Sequence, residues 1–90
     1  CCFDVVFVDG RFRNACLMHA LGLVQGAQSV VMVHDSPRHI DFAKRYYYPI
    51  HTTETLTAML PRPEFLQPSA RNTSEWRVAY LNALVDRQRR

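Results

Sequence analysis

The chain predicts an α/β fold in which two parallel strands give way to an antiparallel pair, in the order β-α-β-α-β-β-α. Three observations carry that expectation. Two short apolar runs, FDVVFVDG at residues 3–10 and SVVMVHD at residues 29–35, each end in a carboxylate. A helix-patterned segment lies between them, and two strands joined by such a helix run parallel. Further on, Leu56, Ala58 and Leu60 alternate with Thr57 and Met59, the period of a half-buried strand. Residues 50–53 lie one tight turn before it and supply its antiparallel partner.

Each element has its own signal. The first strand is expected over residues 4–9; its Val and Phe content reads as a strand buried on both faces. Gly10 follows, where the backbone turns tightly. A helix is expected over residues 12–24, with Phe12, Cys16, Ala20 and Val24 on one stripe and Leu17, Leu21 and Leu23 widening it. Gly26 is its expected left-handed cap. The second strand covers residues 29–34. Ser36 then suits an N-cap and Pro37 a first helical position. That helix should fade near Tyr46, because Pro49 disfavours a helical Tyr48. Pro61, Pro63 and Pro68 mark a loop over residues 61–71. A last helix is expected over residues 72–90. Asn72-Thr73-Ser74-Glu75 has capping-box character, although that motif prefers Ser or Thr at the cap. Trp76, Ala83 and residues 78–84 supply its apolar face, and Arg87, Arg89 and Arg90 suit the negative end of its dipole.

Ninety residues make one domain at most. A free-standing doubly wound sheet usually needs more chain. The sequence also opens on CCFDVV, with no initiator Met and no lead-in to its first strand. It is therefore expected to be the C-terminal part of a larger α/β domain, occupying residues 1–90. The alternative is a complete small domain trimmed at its start. The net charge of +3 is mild. It suits an anionic substrate, or simply a solvated helix end carrying the terminal arginines. No arginine-rich run is interleaved with aromatics, so nucleic acid is not an expected partner. No apolar stretch is long enough to make a membrane one. Cys1 and Cys2 are adjacent, and Cys16 falls inside an apolar helix pattern, where it reads as a small core residue. With no CxxC or Cys/His metal spacing, the cysteines fit a reducing, cytoplasmic setting. No signal peptide is visible, though a missing N-terminus would hide one.

The pieces VDGRFR and VHD, at this spacing, resemble the second half of a class I S-adenosylmethionine-dependent methyltransferase. FDVVFVDG is similar to the fourth strand of that family, where many small-molecule O-methyltransferases carry Asp-hydrophobic-Asp-Gly. SVVMVHDS is similar to the fifth strand, usually Gly-Gly-hydrophobic-His-Asp, with Ala27-Gln28 replacing the glycine pair. Residues 47–60 resemble the sixth and seventh strands, and the resemblance spans residues 3–61. It implies part of a doubly wound Rossmann-like sheet, with parallel strands ending in an antiparallel hairpin that inserts the last strand. It also implies methyl transfer to a hydroxyl of a small-molecule acceptor. The family's glycine-rich cofactor loop and its ribose-binding carboxylate have no counterpart here. Gly10, Gly22 and Gly26 form no G-x-G cluster. The resemblance therefore implies a chain inactive alone, whose S-adenosylmethionine is held by a part outside these residues.

In open parallel sheets, ligands bind beyond the carboxyl ends of the strands. Asp9 and Asp35 stand at those ends. By resemblance, Asp9 is a general base or a ligand to a divalent cation such as Mg²⁺, and Asp35 is a second ligand. His34 replaces an acid of some relatives and is a base or a ligand for a softer metal. Both carboxylates have a plainer reading as caps of the loops that follow them, and His34 has one as a core-edge histidine bonded to backbone. Arg11 and Arg13 flank the first strand end. They would grip a phosphate or carboxylate on the acceptor, or else lie in solvent or pair with Asp9. Tyr46, Tyr47 and Tyr48 line an acceptor pocket or serve packing. Two other classes stay open. One is a non-catalytic binding or assembly module, whose amphipathic tail over residues 74–90 packs against a partner or a second copy in a homo-oligomer. The other is a piece of a different doubly wound enzyme. The antiparallel end and the HD motif weigh against it, and there is no serine nucleophile elbow.

Overall fold

The computed structural model describes residues 3–9, 12–34 and 40–86. Their four strands form one mixed sheet in the order β1-β2-β4-β3. β1 (Val5–Val8) runs parallel to β2 (Val30–His34), in register from Val5 opposite Val30 to Val8 opposite Val33. The crossover between them carries α1 (Arg13–Ala20), so the parallel pairing follows from the helix that separates the strands. α2 (Ile40–Ala43) leads to β3 (Tyr47–Thr52), and β4 (Leu56–Pro61) turns back to lie antiparallel between β2 and β3. The turn is tight: Thr53 N–H donates to the Leu56 carbonyl at 2.8 Å, and Leu56 N–H donates to Thr53 Oγ1 at 3.0 Å. Pro49 is tolerated because β3 is an edge strand, with a register shift between Pro49 and His51.

One face of the sheet meets the helices. Val8, Val31, Val33 and Met59 are buried with Ala15, Leu17, Met18 and Leu21 of the α1 region and Ala83 of α3 (Ser74–Asp86) in a single core. The opposite face is open. Val5 and Phe7 are each 53% exposed, which overturns the expectation that the first strand is buried on both faces. Its apolar content fitted a two-sided strand, but β1 lies at an edge of the described sheet and only its Val6 and Val8 side is covered. β4 shows the same ambiguity. Thr57, Met59 and Pro61 point inward, while Leu56, Ala58 and Leu60 are only half-buried.

α1 is shorter than periodicity implied and presents a different face. It stops at Ala20, and Ala15, Leu17, Met18 and Ala20 are its buried residues. Cys16 is exposed, not a core residue: once Leu17 and Met18 take the interior, a residue one position earlier is rotated about 100° away. Gly26 is not a left-handed cap. It belongs to a turn in which Ser29 Oγ accepts from the Gln25 and Gly26 N–H groups at 3.1 and 3.2 Å. Gly10, Ser36, Pro37, Cys1, Cys2 and the terminal arginines 87, 89 and 90 lie outside the described residues.

The proline loop resolves into two 3₁₀ turns, Pro63–Phe65 and Pro68–Arg71, each with proline near its start. α3 is capped by Thr73 rather than Asn72, since Thr73 Oγ1 accepts from Trp76 N–H at 3.0 Å. Trp76 stands edge-on to Tyr46 with ring centroids 5.4 Å apart, and Tyr46 meets Phe65 at 4.9 Å. No described helix is long and apolar enough to cross a membrane.

Candidate functional site at the parallel strand ends

The parallel register brings the C-terminal ends of β1 and β2 to one edge of the sheet. Val8 lies opposite Val33, so Asp9 and His34 come side by side. His34 Nδ1 is 3.5 Å from Asp9 Oδ1. On the other side, Arg13 Nη2 donates to the same Asp9 oxygen at 2.6 Å. Arg13 opens α1, and the residue before it sets its direction. Phe12 has φ 60° and ψ 39°, the only positive φ of a non-glycine residue among the described residues. That conformation costs an L-residue about 1–2 kcal/mol. Phe12 is held there by packing against the core, and the resulting turn starts the helix beside the strand end.

Exposure sets the strength of these contacts. The Arg13 side chain is 13% exposed and Asp9 49%. A pair with one half-solvated partner stabilises by about 1 kcal/mol or less. His34 Nδ1 is buried and makes no hydrogen bond among the described residues. The imidazole as a whole is 44% exposed, so the open part of the ring lies away from Nδ1. A carboxylate near the buried nitrogen and solvent at the far edge is an arrangement in which an imidazole can take a proton while the carboxylate offsets the charge it gains.

Of the site residues expected from sequence, Asp9, His34 and Arg13 come together, with Arg13 paired to Asp9. Arg11 and Asp35 lie outside the described residues. Among the described residues no group of three or more His, Cys, Asp or Glu side chains gathers as a metal site. Mg²⁺ wants near-octahedral oxygen ligands. Asp9 and His34 supply one carboxylate and one imidazole, and the Arg13 cation already sits against that carboxylate. These described donors do not fit Mg²⁺ by themselves. Nor do they form a cradle for S-adenosylmethionine, since Gly22 and Gly26 sit in separate turns.

The tyrosines divide. Tyr47 is fully buried, and its hydroxyl donates to the Leu17 carbonyl at 2.5 Å. Tyr46 is buried in the aromatic cluster; burial raises its pKa, and the nearby Arg45 cation partly offsets the rise. Tyr48 lies on the open face beneath the Arg62 guanidinium, 4.1 Å from the ring centroid. Packing thus accounts for the first two. Neither the left-handed Phe12 nor the Arg62–Tyr48 stack was foreseeable: phenylalanine carries no local signal for positive φ, and the stack depends on strand pairing. No protein-family model matches the chain, and no curated protein or solved structure matches it either.

Proposed function

We propose that this chain is the acceptor-side half of an S-adenosylmethionine-dependent methyltransferase acting on a hydroxyl of a small molecule. The supporting observation is the sheet order β1-β2-β4-β3, with the last strand inserted antiparallel between its predecessors and Asp9 beside His34 at the end of the parallel pair. This is the order expected for the second half of a Rossmann-like sheet, and the open face is where a doubly wound arrangement would add its other helices. The bound cofactor supplies an electrophilic methyl carbon. The chain's own residues act on the acceptor: His34 takes the hydroxyl proton, Asp9 offsets the imidazolium charge, and Arg13 orients Asp9. In this reading the chain alone neither binds the cofactor nor turns over.

The test is the coding sequence upstream of Cys1 and the protein it encodes. The reading expects a strand followed by a glycine-rich loop there, and S-adenosylhomocysteine binding by the extended protein but not by these ninety residues. It also expects His34→Gln in the extended protein to lower kcat far more than KM. An extended protein that lacks the loop, or that methylates equally well with His34→Gln, refutes it.

A second reading, an assembly module without catalysis, is favoured by one feature. Val78, Leu81 and Val85 recur at helical spacing along α3 and are 57%, 59% and 52% exposed. It expects a stable complex that survives Asp9→Ala and Asp35→Ala.

A further inference from the structure

A second site lies between the end of α1 and the start of α3. A cleft of about 590 Å³ is walled there by Met18, Leu23, Trp76, Tyr80 and Leu81, with His19, Gly22, Arg71 and Arg77 completing it. The volume is that of a small-molecule site, and the composition is an apolar wall with a few polar groups. None of the described lining residues is acidic, and none belongs to the Asp9–His34–Arg13 cluster. The site therefore stands independently of the proposed methyltransferase reading.

The two arginines give the cleft its chemistry. Arg71 Nε is buried and has no hydrogen-bond partner among the described residues. The guanidinium lies close against Gly22, where a Cβ would come 3.2 Å from Nη1. The nearby carbonyls at the end of α1 already accept backbone N–H groups: Met18 from Leu21, His19 from Gly22, and Ala20 from Leu23 and Val24. Arg77 bonds only a neutral acceptor among the described residues, Asn72 Oδ1 at 3.3 Å. Two guanidinium groups beside an indole and a phenol ring, with no carboxylate among the described lining residues, match a flat ligand carrying one negative charge. Guanidinium–carboxylate hydrogen bonds are charge-assisted, and a carboxylate in the cleft would be within reach of the two arginine side chains that line it.

We propose that this cleft binds a small aromatic carboxylate, its ring against Trp76 and Tyr80 and its carboxylate on Arg71 and Arg77. Trp76 is the only tryptophan in the chain, so the tryptophan signal comes from a residue that lines this cleft. The experiment titrates the protein with 2-naphthoate, with naphthalene-2-carboxamide as the uncharged control, and repeats both with Arg71→Gln and Arg77→Gln. Ligand-observed NMR gives a second readout that does not depend on the indole. The proposal expects saturable binding of the carboxylate and a loss of about tenfold or more for each variant, the size expected for one charge-assisted hydrogen bond. The carboxamide should bind both variants and the parent protein alike, and more weakly than the carboxylate binds the parent. Arg77 lies on the exposed surface of α3, so its variant remains informative if Arg71→Gln impairs folding. Equal affinity for acid and amide overturns the proposal. So does an Arg77→Gln affinity within about twofold of the parent, or the absence of saturation.

Discussion

Replacing Tyr47 with Phe should destabilise the fold by an amount that depends on pH. The ring of Tyr47 is fully buried, and its hydroxyl donates to the Leu17 carbonyl at 2.5 Å. Leu17 lies in the last turn of α1, where carbonyls lose their intrahelical partners. The following three are served by backbone N–H groups, so Tyr47 completes the C-terminal end of the helix from a strand thirty residues away. Phe keeps the ring and strands a buried carbonyl, which costs about 1–3 kcal/mol. The expected loss near pH 8 is about 2 kcal/mol, or on the order of 10 °C in Tm for a domain of this size. Burial also raises the pKa of Tyr47 well above its ordinary 10.0. The unfolded chain therefore releases this proton from about pH 10 upward while the native protein keeps it. The stability tied to Tyr47 is fully present below pH 10 and falls above it, by up to about 1.4 kcal/mol per pH unit. Tyr47→Phe has no such proton, so its deficit should shrink by about 1.4 kcal/mol between pH 8 and pH 11. The remaining groups are common to both proteins, so the comparison isolates the Tyr47 hydroxyl. Urea unfolding followed by Trp76 fluorescence and far-UV circular dichroism at the two pH values measures the gap. A deficit below about 0.5 kcal/mol at pH 8, or one unchanged at pH 11, refutes the reasoning.

Three further outcomes follow from the same structure. Cys16→Ser should change unfolding free energy by no more than about 0.5 kcal/mol, because the residue is exposed, whereas Leu17→Ala at a fully buried position should cost about 2–5 kcal/mol; chemical denaturation of the two variants side by side checks this. Thr73→Ala should cost about 1 kcal/mol through loss of the α3 cap, while Asn72→Ala costs less than half as much, a contrast visible in thermal melts. Asp9→Asn should lower stability by about 1 kcal/mol or less, since its partner contact is half-solvated. A larger loss in equilibrium unfolding would mean that the strand-end cluster is a structural core rather than a site.

Local chemistry made much of the fold legible. A helix-length insert between two apolar runs forces parallel strands, Pro49 excludes helix at Tyr48, and a three-residue turn forces the antiparallel return; each constraint acts within a few residues. The same locality explains the errors. In α1, Cys16, Leu17 and Met18 are all apolar enough to face inward, and only contact with the sheet and α3 selected Leu17 and Met18. In β4, both alternating sets are largely apolar, and the side that became the interior is the one α1 covers. The candidate site divides in the same way. Asp9 and His34 were recognisable because each ends a strand, and parallel register alone makes strand ends neighbours. The Asp9–Arg13 pair needed the left-handed turn at Phe12, which its residue type does not announce. The cleft holding Arg71, Trp76 and Arg77 against Gly22 joins segments some fifty residues apart. Sequence by itself determined which segments could become strands and helices, because backbone sterics and hydrophobic period act over short range. Tertiary structure decided which faces were buried and which charges met, because those depend on how the elements pack together.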